Sequence, residues 1–300
     1  MNGLRRRRLK LEKEKVLVTG AKGQLGWDVV REYEQRGYTV YGLGRDELDI
    51  TDAEACQKAA VLVKPKIAIH CAAYTKVDNA EMDADEAYRI NAYGTRNVAA
   101  AAAGVGAKLV GVSTDYVFNG KSTVPYDEFC AVDPINVYGR SKWAGEQLIR
   151  QVHARHYIVR TSWVYGAAGN NFVKTMLRLG AERPMVQVVR DQIGSPTYTA
   201  DLAKSIADLT VTERYGTYHI CGGGHCSWHE FAEAIFGLAG LSVQTVPILS
   251  KDYPQAAARP GYSVLNCRSL RLNGLAEPRP WRDALADFLS SYKGRKSKSP

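Results

Sequence analysis

Three hundred residues, 45% hydrophobic and 24% charged, are enough for a large buried core and exclude a disordered or low-complexity chain. The net charge of +9 sits at the ends: residues 1–15 carry +5 (Arg5 to Arg8, Lys10, Lys13 and Lys15 against Glu12 and Glu14), and residues 293–300 carry +4. Residues 16–292 are therefore neutral and the basic ends read as solvated tails, which argues against nucleic acid as a partner.

In chain order, short apolar runs alternate with amphipathic stretches. Strands are predicted at 15–19, 38–43, 66–70, 108–112 and 157–160. Helices are predicted at 24–36, 53–63, 79–103 (with a break) and 137–153. This alternation calls for a parallel sheet covered on both faces, an α/β fold of the Rossmann type, doubly wound. After about residue 166 the pattern loosens. A helix at 171–179, a strand at 186–189, a loop at 191–197, a helix at 200–209, a strand near 217–220 and a helix at 229–239 precede an irregular stretch, 246–260, that contains prolines. The organisation expected is a basic tail (1–14), a dinucleotide-binding domain (15–165), a smaller substrate-binding lobe (166–292) that exchanges segments with the sheet, and a second basic tail (293–300).

No run reaches the roughly 18 apolar residues of a membrane span. The N-terminal Arg cluster lacks the apolar stretch of a secretory leader. Six scattered cysteines in a chain of this size fit reduced thiols better than a disulfide framework. Together these predict a cytoplasmic protein with no membrane partner.

The first strand runs into VLVTGAKGQLG (16–26), whose Gly20, Gly23 and Gly26 are spaced by three and open a helix. Glycine lets the backbone turn tightly and approach a pyrophosphate, and the helix start beyond it, at Gln24 and Leu25, offers unpaired N–H groups. NAD sites often carry an acid at the end of the second strand; here Gly44 holds that place and Arg45 follows. An arginine there suits a 2′-phosphate and favours NADPH, with NADH as the other candidate. Asp49 and Ile50 would flank the adenine, and Ala72 and Ala73, after the third strand, would let backbone pass close to the coenzyme.

STDYVF (113–118) follows the fourth strand, so its polar residues emerge at the carboxyl edge of the sheet. About two dozen residues later, Tyr138 and Lys142 stand four apart on a predicted helix and so share a face. A ketone that accepts hydride needs a proton, and free tyrosine titrates near pH 10. A neighbouring ammonium would draw the Tyr138 phenol toward the working pH, and the Thr114 hydroxyl could hold the carbonyl oxygen.

At these residues the chain resembles the extended short-chain dehydrogenase/reductase superfamily and, within it, the dTDP-4-dehydrorhamnose reductase family. The resemblance spans about 16–285 and also rests on CAAYTKVD (71–78), NVYGRSKWAGE (136–146), RTSWVY (160–165), GNNF (169–172), DQIGSPT (191–197) and Arg259-Pro260 with Tyr262-Ser263. It implies reduction of the C4 ketone of a dTDP-keto-sugar by NADPH. Thr114, Tyr138 and Lys142 would be the catalytic trio, Asp115 and Trp163 would lie at the sugar, and Tyr74 and Thr75 beside the nicotinamide or substrate. Dehydratases of the superfamily place an acidic pair after this threonine; here Tyr116 follows Asp115, so the elimination acid is missing. Epimerases hold NAD with an acid where Gly44 stands. A non-catalytic NADP-binding regulatory subunit is the alternative from another class.

Arg259 reads as a bidentate clamp for a diphosphate, Trp163 as a cover over the sugar, and Trp27 and Trp143 as packing against the sheet. CGGGHC (221–226) with His219 and His229 matches no paired zinc spacing and reads as a turn, so no metal ligand is assigned. Some members of the resembled family bind Mg2+ through acids at a dimer interface. The matching positions are Asp28 and Asp201, shorter than the Glu of those members, so Mg2+ and the choice between monomer and homodimer stay open.

Overall fold

The structure, a computed structural model, describes residues 13–253 and 255–296, with side chains through Tyr292. Most of the N-terminal basic run, and Lys298, lie outside the described residues.

The chain begins β1 (Lys15–Thr19), α1 (Gln24–Gln35), β2 (Thr39–Leu43), α2 (Ala53–Val63), β3 (Ile67–His70). Next come α3 (Val77–Met82), α4 (Ala84–Tyr88), a π-helical turn (Arg89–Gly94), α5 (Thr95–Gly104), β4 (Lys108–Thr114), α6 (Val137–Val152) and β5 (His156–Thr161). Then follow β6 (Val164–Tyr165), α7 (Phe172–Glu182), β7 (Met185–Val189), β8 (Ile193–Gly194), β9 (Thr197–Tyr198), α8 (Thr199–Thr210) and β10 (Gly216–His219). The chain ends through β11 (Cys226–Ser227), α9 (Trp228–Ala239), β12 (Gln244–Ile248), α10 (Arg268–Leu272) and α11 (Trp281–Lys296).

Six strands form one parallel sheet in the order β10-β5-β4-β3-β1-β2. Alternation along each strand sorts its apolar side chains to two faces. Val16 and Val18 of β1, Ile67 and Ile69 of β3, and Val110 of β4 meet Val29 and Tyr33 of α1 and Leu202 and Ile206 of α8. On the other face Ala68, Leu109 and Ile158 meet Cys56 and Ala60 of α2, Val98, Ala99 and Ala102 of α5, and Ile149 of α6. The order of connection reverses between β1 and β3, and at such a switch point the strand ends leave a crevice. That crevice positions the site.

The fold is the doubly wound α/β arrangement that the strand–helix alternation predicts. Several elements differ in detail. β4 runs two residues past the predicted end, so Ser113 and Thr114 belong to the strand. The long helix at 79–103 is four pieces, interrupted where the Asp83 side chain caps α4 and again by the π turn. β10 and α8, from the later half of the chain, join the sheet: β10 pairs with β5, and α8 packs on α1, with Tyr33 Oη and Thr210 Oγ1 2.6 Å apart.

The remaining elements form a separate apolar cluster of Tyr165, Val173, Met176, Phe231, Ile235, Phe236, Trp281, Leu285 and Phe288. The stretch read as irregular begins inside β12, which pairs in parallel with β7; Pro247, which lacks an N–H, hid the strand. α11 was also missed and runs past Lys293, where the sequence places a tail. Among the described residues no helix is long and apolar enough to cross a membrane.

Candidate active site

From the end of β1 the chain turns at Gly20, with φ +69°; a Cβ there would lie 2.6 Å from the Ala72 nitrogen, so only glycine fits. A Cβ at Gly26 would lie 2.2 Å from the Gly20 carbonyl oxygen, which seats α1 directly on the turn. Gly23 is the N-cap of α1 and supplies no capping side chain, and the first turn carries no acid. The helix therefore opens with unpaired N–H groups at Gln24 and Leu25 and the positive end of its dipole, a fit for a pyrophosphate.

This helix start forms one end of a cleft of about 840 Å3 along the carboxyl ends of the strands. Gly20, Gly23, Gln24, Leu25, Arg45, Asp49, Ile50, Ala72, Ala73 and Thr75 line it, and so do Thr114, Asp115, Tyr138, Lys142 and Trp163. Of the residues assigned from the sequence to coenzyme, substrate or catalysis, Gly26, Tyr74 and Arg259 do not line it. Gly26 packs behind the turn, and Tyr74 packs on the small cluster of Ala80, Ala87 and Val137, as Tyr88 and Tyr138 do. The Arg259 guanidinium donates to Asp78 Oδ2 at 2.8 Å and to the Ala257 carbonyl at 2.9 Å.

At the coenzyme end, Arg45 is exposed, and Asp49 accepts from the Thr51 backbone and hydroxyl at 2.9 and 2.8 Å. Lys22 went unremarked in the sequence. Its stem lies across Gly44, where a Cβ would come within 2.7 Å of Lys22 Cδ, and its ammonium is 3.4 Å from Glu47.

At the other end, Thr114 Oγ1 donates to Asp115 Oδ1 at 3.1 Å and accepts from the Tyr116 nitrogen at 3.1 Å, and Tyr138 lines the same end of the cleft. Burial pushes the Tyr138 phenol up to about 12; the Thr114 hydroxyl opposes the rise and the Asp115 charge adds to it. The sequence predicts a phenol lowered by Lys142. Instead the Lys142 ammonium donates to the Val112 carbonyl at 2.7 Å, and burial pushes it down to about 8. Asp115 is 3% exposed, its Oδ2 has no hydrogen-bond partner among the described residues, and burial raises its carboxyl to about 6 with the Ser263 and Thr114 hydroxyls opposing the rise.

Local structure holds these groups in place. Asn136 caps α6 by accepting from the Gly139 nitrogen at 2.7 Å, which sets the helix start one residue before Tyr138. A Cβ at Gly139 would lie 2.1 Å from the Tyr116 carbonyl oxygen, so α6 sits hard against the turn after β4. Asn91, in the π turn, was missed. Its side chain accepts from the Tyr74 nitrogen at 2.8 Å and donates to the Tyr74 carbonyl at 3.1 Å and to Ser141 Oγ at 3.0 Å, tying the loop after β3 to α6. A buried asparagine inside an apolar helical run was the available signal, since π turns gather at functional sites.

Trp163 has φ +45° and stacks on Trp228 with ring centroids 3.5 Å apart and planes within 5°. Trp228 also lines the cleft and was missed; it opens α9 behind the Ser227–Glu230 capping box. Trp143 packs on the sheet cluster, whereas Trp27 is half-buried with the Arg31 guanidinium over its ring. Asp28 accepts from Thr199 Oγ1, and Asp201 accepts from Arg279 at 2.9 Å. Among the described residues no three His, Cys, Asp or Glu side chains gather as a metal site.

The cleft thus joins an uncapped helix start to a buried hydroxyl, a half-buried phenol, a lysine and an aromatic wall. Residues 14–293 match the sequence family described as the RmlD substrate binding domain. A spore coat polysaccharide biosynthesis protein, SpsK, of Bacillus subtilis (strain 168) is 44% identical over 92% of this chain and 96% of its own length. A dTDP-4-dehydrorhamnose reductase of Streptomyces griseus is 42% identical over 93% of this chain and 94% of its own. The crystal structure of dTDP-4-dehydrorhamnose reductase from Bacillus anthracis str. Ames in complex with NADP superposes with a TM-score of 0.92. It is 51% identical and covers 93% of this chain and 100% of that one. The chain belongs to the RmlD substrate binding domain family, that of the dTDP-4-dehydrorhamnose reductases, within the extended short-chain dehydrogenase/reductases.

Proposed function

We propose that this chain is an NADPH-dependent oxidoreductase of the cytoplasm that reduces the C4 ketone of dTDP-4-dehydro-L-rhamnose to dTDP-L-rhamnose, for cell-surface polysaccharide synthesis. The observation that carries the reading is that Thr114, Tyr138 and Lys142 line one cleft whose other end is the uncapped start of α1. The NADP in the B. anthracis relative supports the choice of coenzyme.

The pyrophosphate of NADPH would be held by the turn from Gly20 to Gly26 and the N–H groups of Gln24 and Leu25, and its adenosine end by Arg45, Asp49 and Ile50. Ala72, Ala73 and Thr75 would let its nicotinamide end approach the backbone, with Tyr74 behind them. When bound, its dihydronicotinamide supplies hydride equivalents to the ketone carbon. Thr114 orients the carbonyl oxygen by donating to it. Tyr138 delivers the proton from its phenol oxygen to that oxygen as charge develops. A phenol raised by burial suits this direction of reaction, because it stays protonated until the alkoxide demands the proton. Lys142 supplies positive charge below the phenol and binds ribose hydroxyls. Asp115 accepts from a sugar hydroxyl, which would partner its free Oδ2. Trp163, with Trp228 at its back, covers the sugar. Arg259 would reach a diphosphate only by leaving Asp78.

The test is NADPH consumption with a panel of keto-sugar nucleotides, repeated with NADH and with a chelator to read any Mg2+ dependence. Turnover with dTDP-4-dehydro-L-rhamnose is expected. Tight NADPH binding with no turnover on any keto-sugar would defeat the reading and indicate a regulatory subunit.

A further inference from the structure

Behind the face of α6 that meets the cleft lies a buried ionic cluster that the reaction above leaves unused. Glu146 follows Lys142 by four residues and so shares its helical face one turn further on. Its side chain is 2% exposed and fully engaged. Oε1 accepts from Ser113 Oγ at 2.6 Å and from Arg160 Nε at 2.9 Å; Oε2 accepts from Arg160 Nη2 at 2.8 Å and from Arg150 Nη2 at 3.2 Å. Arg160 rises from β5, is equally buried, and has Phe118 and Trp143 rings 5.4 and 5.7 Å from its guanidinium and His219 Nε2 3.5 Å from Nη1.

A buried ion pair is weak evidence for stability, because well-packed apolar replacements are often neutral or better. What this pair touches is more telling. Ser113 is the immediate neighbour of Thr114 on β4, and the residue before it, Val112, receives the Lys142 ammonium on its carbonyl oxygen. One carboxylate therefore braces the strand that carries the hydroxyl and stands a helical turn from the lysine.

We propose that Glu146, locked by Arg160, is a positioning residue for the reduction: it pins the Ser113–Thr114 end of β4 and counterbalances the Lys142 ammonium on the cleft face. The proposal rests on the reductase reading above. The groups facing that ammonium are His70 of β3, Cys71 after it, the Val112 carbonyl of β4, and Glu146 of its own helix. Burial holds His70 down at about 3 and Cys71 up at about 12, so both are neutral in the working range. Glu146 is the one carboxylate in that set and the leading influence that opposes the burial of Lys142.

The test begins with the coenzyme-free protein. Competitive labelling of the Lys142 amine with acetic anhydride, read by mass spectrometry across neutral and alkaline pH, gives its midpoint. Glu146→Gln is expected to move that midpoint down by about one pH unit and to move the alkaline limb of kcat with it. An unmoved midpoint in a chain whose parent turns over keto-sugar overturns the role of Glu146 alone; a parent without turnover overturns the reductase reading and this role with it. Should Glu146→Gln fail to fold, Ser113→Ala decides. It keeps both charges and deletes the link to β4, so kcat should fall about tenfold with the lysine midpoint in place, whereas full kcat would overturn the proposal.

Discussion

Lys142, one helical turn beyond Tyr138, donates its ammonium to the carbonyl oxygen of Val112 at 2.7 Å. Burial depresses this ammonium to about 8, so its charge is complete well below that pH and is lost as pH rises through it. Tyr138, at about 12, stays protonated over the same range. The alkaline limb of kcat is therefore expected near pH 8 and to report Lys142. Lys142→Met should cost about a hundredfold in kcat, measured by steady-state NADPH oxidation. A parent profile that stays flat beyond pH 9.5 would refute the assignment.

Tyr138→Phe keeps the ring that packs on the Ala80, Ala87 and Val137 cluster and removes the proton donor. Turnover should fall about 10²- to 10⁴-fold, while NADPH affinity, read by fluorescence titration, changes little. Equal losses in both would mean that the phenol serves binding rather than proton transfer.

Asp115 predicts a trade between stability and function. Its carboxyl is buried with one oxygen unpartnered among the described residues and is raised to about 6. The folded value lies above the unfolded one, so ionisation opposes folding. The penalty grows as pH climbs from the ordinary carboxylate range through about 6 and is complete above it, at roughly 3 kcal/mol. Asp115→Asn should therefore raise Tm at pH 8, raise it little at pH 4, and weaken the KM for the sugar nucleotide. Thermal melts at the two pH values check the sign; a larger gain at pH 4 would contradict it.

The sequence carried the sheet and most of the cleft because both rest on local patterns. Apolar strands of β1, β3 and β4 alternate with amphipathic helices, and Gly20, Gly23 and Gly26 mark the turn. The four-residue step from Tyr138 to Lys142 needs only helical geometry. What it hid depends on where distant segments meet. Arg259 reads as a free cation in isolation, yet folding brings Asp78, 181 residues earlier, to its guanidinium. Lys142 was expected to act on Tyr138, but the close approach of β4 offers it a backbone carbonyl. Trp228 becomes part of the cleft only through its stack on Trp163. α11 is different: Trp281, Ala284, Leu285, Phe288 and Leu289 are buried at helical spacing, so its signal was present in the chain.

Trp163 and Gly194 are locked together. A Cβ at Gly194 would lie 2.4 Å from Trp163 Cε2 and 2.5 Å from its Nε1, inside any allowed contact. Between β8 and the stacked Trp228 the indole has little room to yield, and its backbone already holds φ +45°. Gly194→Ala should push the indole toward the cleft. The expected outcome is a several-fold rise in KM for the sugar nucleotide, with NADPH affinity retained and a shift in tryptophan fluorescence. An unchanged KM and spectrum would mean that the wall is not part of the sugar site.

Coenzyme choice should follow the end of β2. Gly44 leaves space that the Lys22 stem fills, and the Gly44 nitrogen is already satisfied by Glu47 Oε2 at 2.7 Å. Lys22 and Arg45 thus put two cations where a ribose-binding acid would otherwise reach, a setting suited to a 2′-phosphate. Arg45→Ala should weaken NADPH by about tenfold and leave NADH nearly unchanged, measured as separate dissociation constants. Gly44→Asp meets the flexible end of a lysine rather than backbone, so it should be tolerated by the fold. The new carboxylate would pair with Lys22, repel the phosphate and accept from the ribose hydroxyls, lowering the NADPH to NADH affinity ratio. If neither substitution alters that ratio, the phosphate of the adenosine end is recognised elsewhere along the cleft.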